Sequence, residues 1–285
     1  MQMIGPDRLA RVTAEAVVPE QVVVYVSAVA GSKPRMVGSC IGYDSGGEFV
    51  LVGYPLHDPL DESAMTEAVT LALQIPGLRR LTVIGPVRPK AAPAGSPLET
   101  DCYYAIPVPP PRPTQKLRNI LRRASRDLIL DQGRRCGEDH MGLVQRYLDE
   151  RPVAPGTRRI FGHLQSYLAA SPGSLVLSAR LADGRLAAFA VGEFASLRTA
   201  FFMFCFRDSR VAPPGSADLV LSGLLDEAAR RGHSRMNLGL AINEGIRFFK
   251  EKWGPASFLP YMQVTWAPTR PVGALFSLLR GLLRR

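Results

Sequence analysis

Residues 235–255, RMNLGLAINEGIRFFKEKWGP, constrain this chain more than any other stretch. A short apolar strand runs into Gly239. A loop carrying Asn243, Glu244 and Gly245 follows, and then a helix of mixed aromatic and basic character that stops at Gly254-Pro255. A strand–loop–helix unit of this kind belongs to α/β architecture, where the turn after a strand tends to carry the chemistry.

The pattern upstream agrees. In the second half, residues 175–179 and 187–194 read as strands around the tight turn Ala182-Asp183-Gly184-Arg185. Residues 199–206 form a strongly aromatic strand, and 216–230 a helix with a basic last turn and Gly232 as its stop. Strands at 236–240 and 258–266 flank a helix at 245–253. Before them, 115–130 reads as one basic helix with Leu117, Ile120, Leu121, Ala124 and Leu128 on its apolar stripe. Further helices are expected at 140–150 and 162–169. A meander feeding βαβ units gives a mixed sheet with right-handed crossovers.

The first half reads as strands at 22–29, 36–43 and 49–54, a helix at 62–73 capped by Asp61, and strands at 81–84 and 101–107. The extended VPPPRP segment at 108–113 is the best boundary. The expected organisation is an N-terminal α/β unit over 1–110, a second unit over 111–270, and a basic amphipathic helix over 271–285. The boundary segment is either a rigid linker or a connection inside one continuous fold.

The order of elements in the second half, with Asn237, Leu238, Gly239, Gly245, Ile246, Phe249, Lys250, Trp253 and Gly254, resembles the GNAT acyltransferase superfamily. It is more closely similar to the branch of peptidoglycan-bridge aminoacyltransferases and phosphatidylglycerol lysyltransferase catalytic domains. The basic KLRNILRRASRD helix resembles the one that opens those domains. The resemblance is good over roughly 115–266 and weak over the first half, as for a degenerate copy in tandem. It implies an α/β (α+β) fold: a GNAT-like mixed sheet with flanking helices.

The same resemblance implies an acyl donor where the central sheet splays. In ordinary members a Gly-rich loop cradles the pyrophosphate of coenzyme A. The equivalent loop here, 207–216, lacks the full pattern and keeps Arg207, Arg210, Gly215 and Ser216 at a helix start, where an anion is favoured. The donor expected is acyl-coenzyme A or another small-molecule or carrier-protein thioester, and the acceptor an amine. Aminoacyl-tRNA is the alternative donor. A non-catalytic peripheral membrane or scaffold role is the reading outside enzymes.

Individual residues carry two readings each. Glu244 is a candidate proton acceptor, or with Asn243 a helix cap. Asn237 either faces the splay or bonds structurally. Glu193, an acid within an apolar strand, is a third candidate. Lys250 and Lys252 beside Trp253 are candidates to hold a phosphate or acyl carboxylate, against a solvated helix face. Asn243 and Lys250 join the loop residues as donor-binding candidates.

A net charge of +10 attracts anions. Residues 271–285 place leucines against arginines and suit an anionic membrane surface, or pack on the core. Cys40, Cys102, Cys136 and Cys205 make no CxxC pair, and the four histidines have no metal-ligand spacing, so no metal is expected. With no signal peptide or spanning segment visible, the expected location is cytoplasmic, with membrane association through the tail as the variant.

Overall fold

The computed structural model describes residues 5–268. The expected helix at 271–285 lies outside them. In chain order the helices are α1 (Pro6–Ala14), α2 (Val23–Ala30), α3 (Glu62–Leu73), α4 (Gln115–Asp127), α5 (Glu138–Glu150), α6 (Pro155–Gly162), α7 (Leu164–Ala170), α8 (Ser216–Arg230) and α9 (Glu244–Glu251). The strands are β1 (Lys33–Val37), β2 (Cys40–Asp44), β3 (Glu48–Val52), β4 (Arg80–Gly85), β5 (Leu98–Pro107), β6 (Leu128–Gly133), β7 (Ser174–Leu181), β8 (Leu186–Glu193), β9 (Thr199–Arg207), β10 (Arg235–Leu240) and β11 (Ala256–Trp266).

All eleven strands join one mixed sheet in the order β1-β2-β3-β4-β11-β5-β10-β9-β8-β7-β6. The two halves repeat one plan. In the first, β1–β3 form an antiparallel meander, α3 crosses over, and β4 lies parallel to β3. In the second, β7–β9 form the meander, α8 crosses, and β10 lies parallel to β9. Each half then sends its last strand to the other. β5 pairs with β10, β11 pairs with β4, and β5 and β11 pair with each other. The chain passes the 110/111 boundary between β5 and α4, within a sheet that both halves build.

The sheet is covered on both faces, so successive strand residues enter different cores. Leu175, Leu177, Ala188 and Ala190 pack with Leu221 and Leu224 of α8, and with α4. Val176, Phe189, Val191, Phe204 and Phe206 face α5–α7. Each fully buried large apolar side chain contributes on the order of 2 kcal/mol.

Four expectations are corrected. Residues 22–29 are not a strand: 23–30 form α2, ended by Gly31 at φ 64°. Valine-rich sequence favours strands, but packing decides here. Tyr25 meets Tyr167 and Phe204 edge-on, while Val23 and Val26 pack with Tyr43, Tyr54 and Tyr103. The helix bridges two cores and is therefore apolar all round. Residues 36–43 are two strands, turned at Gly38 with φ 60°. The helix from 115 stops at Asp127, because Leu128 pairs with Leu181 and opens edge strand β6. The helix expected at 162–169 is α7, preceded by the unforeseen α6 with His163 between them.

Candidate active site at the open seam

The two parallel seams differ. Between β3 and β4 the register runs through five pairs, Glu48↔Arg80 to Val52↔Ile84, and Gly53 continues it by donating to Ile84 O at 2.6 Å. Between β9 and β10 it runs through three, Arg235↔Thr199 to Asn237↔Phe201. Beyond them β9 stays with β8, and β10 stays with β5. The first half's seam is closed and the second half's opens.

Two bulges accompany the opening, one in β10 between Asn237 and Gly239 and one at Val191/Gly192 beside β9. Asn237 stabilises the first. It is fully buried, its Oδ1 accepts from Gly239 N at 2.7 Å, and its Nδ2 donates to Val17 O at 2.8 Å. Gly239 has φ 75°, a conformation glycine adopts without strain.

Lys250 sits at the lip. It is 3% exposed, its Nζ donates to Leu240 O at 2.5 Å, and it lies 5.8 Å from the centroid of the Tyr104 ring. Burial lowers its pKa to about 8, against the opposing pull of Asp101 and Cys102. An ammonium has three donors, and the geometry shows one protein acceptor for them. Phe249 stacks on Phe202 of β9. The end of α9 is tied to α8, since Asp218 accepts from Lys252 Nζ at 2.6 Å and from Trp253 Nε1 at 2.9 Å.

The loop before α9 is held from β5. Asp101 accepts the N–H groups of Ala241 and Ile242 at 3.3 and 3.0 Å. Asn243 N donates to Ala241 O at 2.6 Å, making a γ-turn centred on Ile242 at φ 59°. A β-branched residue in that region is strained, which occurs mainly where the surroundings over-determine the backbone.

The other sequence candidates are distributed as follows. Asn243 caps α9, its side chain accepting from Ile246 N at 2.9 Å. Glu244 is exposed in the first turn of that helix, where an acidic charge is favourable. Glu193 is fully buried and accepts from Tyr167 OH, Ser171 Oγ, Phe194 N and Ala195 N, which fixes it as a strand-end anchor. Arg207 closes its own loop by donating to Ala212 O, and Arg210 pairs with Glu150 of α5. Ser216 is buried and donates to Pro213 O. Gly215, at φ 91°, lies under α4; a Cβ there would meet Ile120 Cγ2 at 2.7 Å. Gly215 and Ser216 are thus packed inward, while Arg207 and Arg210 stay exposed at the surface. Asn237 and Lys250 come together at the seam, and Glu193 does not reach it.

One arrangement imitates a catalytic triad. His140 Nε2 lies 2.8 Å from Ser178 Oγ, with Asp139 2.8 Å from Nδ1. Gly137 N lies 3.1 Å from the same Nδ1, so two contacts make opposite demands on it: the carboxylate calls for Nδ1–H, and Gly137 N for a lone pair. The ring is buried at the start of α5 and packs edge-on against Phe189. Burial pushes the thiols of Cys40, Cys136 and Cys205 up to about 12, which keeps them out of nucleophilic work at neutral pH. Among the described residues no three His, Cys, Asp or Glu side chains are grouped to hold a metal ion.

A mixed sheet with one parallel seam opened between β9 and β10, and its partner strands exchanged between two similar halves, is a GNAT-like fold. Solved structures of a lysylphosphatidylglycerol synthetase domain, of L-PGS and of FemX share this fold. The chain is similar to a DUF2156 domain assigned to a lysylphosphatidylglycerol synthetase of Agrobacterium fabrum, at TM-score 0.62 and 16% identity over 97% of this chain and 94% of that one. It is similar to FemX at TM-score 0.61 and 9% identity, over 98% and 99%. It is similar to L-PGS of Bacillus licheniformis at TM-score 0.57 and 14% identity, over 99% and 98%. No protein-family model and no curated protein sequence matches the chain. Among the described residues no helix is long and apolar enough to cross a membrane.

Proposed function

We propose that the protein is an acyltransferase that moves an acyl or aminoacyl group from an activated carrier to an amine, at the open seam beside Lys250. The observation that carries this is the contrast between the seams: the same plan is built twice, and only the second copy opens and puts a buried ammonium at the opening. In the reaction the acceptor nitrogen attacks the acyl carbonyl carbon. The C–N bond forms, the bond from that carbon to the donor's sulfur or oxygen breaks, and the nitrogen loses a proton. The Lys250 ammonium faces the negative charge that develops on the carbonyl oxygen. Holding both partners beside the seam supplies much of the rate.

The start of α8 supports one reading of the donor class. Gly215 lies under Ile120 and Ser216 is bonded to Pro213 O, so the helix start presents little free backbone to a pyrophosphate, although Arg207 and Arg210 are exposed beside it. This favours a donor gripped at a distance, an acyl carrier protein or an aminoacyl-tRNA. Lys116, Arg122, Arg123 and Arg126 of the neighbouring α4 are exposed and pair with no acid among the described residues, which suits an anionic carrier. The proteins of similar fold whose name refers to lysylphosphatidylglycerol fit this reading. The proposed location is the cytoplasm.

Native mass spectrometry with acetyl-, malonyl- and long-chain acyl-coenzyme A is the first test, followed by transfer from charged tRNA and acyl carrier protein. The expected result is no saturable coenzyme A thioester complex and label transfer from a macromolecular donor. Saturable 1:1 binding of one thioester would return the donor to coenzyme A. No transfer from any donor by folded protein would end the enzymatic reading.

A further inference from the structure

The acids of this protein that are withdrawn from water have partners, with one departure. Asp208 pairs with Arg146, Asp218 with Lys252, Asp139 with Arg180, and Glu227 with Arg231. Glu193 takes four O–H and N–H donors. Glu20, in the 3-10 turn Pro19–Gln21, is half-buried and has no cation partner among the described residues. Its one side-chain donor is Tyr103 OH, at 2.8 Å from Oε2.

What surrounds Glu20 is aromatic. Tyr43 OH donates to its backbone carbonyl at 2.8 Å. Tyr103 meets Tyr54 and Tyr261 edge-on, at 6.0 and 5.7 Å between ring centroids. Burial raises the Glu20 carboxyl above its ordinary range, so the ionised form is held at a cost that a cation would relieve. The turn is also fixed in place. Gln21 takes the N–H groups of Val17 and Val18 and donates to Tyr54 O; Asn237 holds Val17 O; Ser196 Oγ bonds Ala14 O and Ala16 O. A half-buried carboxylate held this firmly, with no charge to meet it, suits a small organic cation. A metal ion would need more oxygen ligands than one carboxylate supplies.

The place is informative too. Tyr103 and Tyr104 are neighbours on β5 and point to opposite faces. Tyr104 faces Lys250, and Tyr103 faces Glu20. Tyr103 is the register partner of Leu240, the residue whose carbonyl receives Lys250. The two sites flank one end of β5, next to the seam where the sheet ladder stops.

We propose that Glu20, oriented by the Tyr103 hydroxyl, binds the ammonium group of an organic primary amine, and that this amine is the acceptor. The binding site stands on the geometry of the cluster alone; the acceptor role rests on the transferase reading above. Once bound there, the ammonium gives one proton to the Glu20 carboxylate, and the freed lone pair forms the new C–N bond. As the bond to the donor's sulfur or oxygen breaks, a second proton passes from the nitrogen to that leaving atom, and Glu20 returns its proton to solvent.

The test uses the full chain and n-propylammonium chloride at constant ionic strength, read by saturation-transfer NMR and tyrosine fluorescence. n-Propanol and tetramethylammonium serve as controls. Saturable binding of propylammonium is expected, with no binding of propanol and weaker binding of tetramethylammonium, which has no N–H to give. Glu20→Gln, whose shape is unchanged, weakens binding by about tenfold or more, the worth of one charge-assisted hydrogen bond. Tyr103→Phe weakens it less, and serves alone if Glu20→Gln fails to fold by circular dichroism. Equal affinity in a folded variant and the parent, or no saturable binding at millimolar concentrations, overturns the proposal. Transfer activity that survives in protein without ammonium binding moves the acceptor elsewhere, whereas ammonium binding without any transfer refutes the transferase reading and leaves the site standing.

Discussion

The ammonium of Lys250 donates to the carbonyl of Leu240, ten positions earlier in the chain, at 2.5 Å. That bond joins the end of β10 to the inner face of α9 and keeps a charge at the lip of the seam. Its pKa of about 8 leaves Lys250 largely protonated at neutral pH but costly to hold there. The folded-state pKa lies below that of an unfolded lysine, so the native protein binds fewer protons between the two values, and stability rises with pH across that window. Below pH 8 the whole penalty is present, about 3 kcal/mol for a shift of this size. Lys250→Met is therefore expected to raise the melting temperature at pH 7, with the gain shrinking as pH climbs from 8 towards 10.5, and to abolish transfer. Calorimetric melts over that range check the sign.

How this site was legible in sequence turns on a few residues. The turn Asn243-Glu244-Gly245 and α8 were visible because their signals are local: a cap, a periodic stripe and a glycine stop. Lys250 was legible as a candidate but not as a buried group, because Lys250 and Lys252 look alike in a helix and only the fold sends one to Leu240 and the other to Asp218. Glu20 gave almost no signal. Its partner Tyr103 is 83 positions away, and the only local hint was a lone acid between two valine runs. The exchange of β5 and β11 was equally invisible, since Tyr104 pairs with Ser257 across the whole second half. The α2 error has the opposite cause: strong local strand preference overruled by a place between two cores.

Asn237 joins the bulge in β10 to the segment that carries Glu20. Asn237→Ala removes the acceptor for Gly239 N and the donor to Val17 O, at an expected cost of about 2–3 kcal/mol. Asn237→Asp keeps the acceptor but turns an oxygen towards the Val17 carbonyl, and is expected to be the worse of the two above the ordinary carboxylate range. Urea unfolding ranks them. Hydrogen exchange should quicken at residues 14–22 in both; protection unchanged there would mean that the segment is held without Asn237.

The plugged start of α8 makes a two-part prediction. Gly215→Ala brings a Cβ to 2.7 Å from Ile120 Cγ2 and 3.2 Å from Ile120 O, at φ 91°. Strain and clash together are expected to cost about 2–4 kcal/mol. Adding Ile120→Ala relieves the side-chain clash but neither the positive φ nor the backbone contact, so recovery is partial. Ile120→Ala alone uncovers the helix start, and any affinity for acyl-coenzyme A should increase in it. Full recovery in the double variant would show that the glycine is needed for space alone.

Asp218 decides whether α9 holds its place. It is 3% exposed and accepts from both Lys252 and Trp253. Asp218→Ala leaves the indole N–H buried without an acceptor and Lys252 without its counter-charge, an expected loss of about 3–5 kcal/mol. Asp218→Asn keeps one acceptor for Trp253 and gives up the charge, so it loses less. The two contacts anchor the end of α9, and Lys250 lies on the turn just before them. Loosening that end should therefore reduce transfer more than it reduces global stability. Amide exchange at 248–253 separates the outcomes: in Asp218→Asn these amides are expected to open well below the global unfolding free energy. If they exchange only on global unfolding while transfer falls, Asp218 acts on the site by its charge and not by holding the helix.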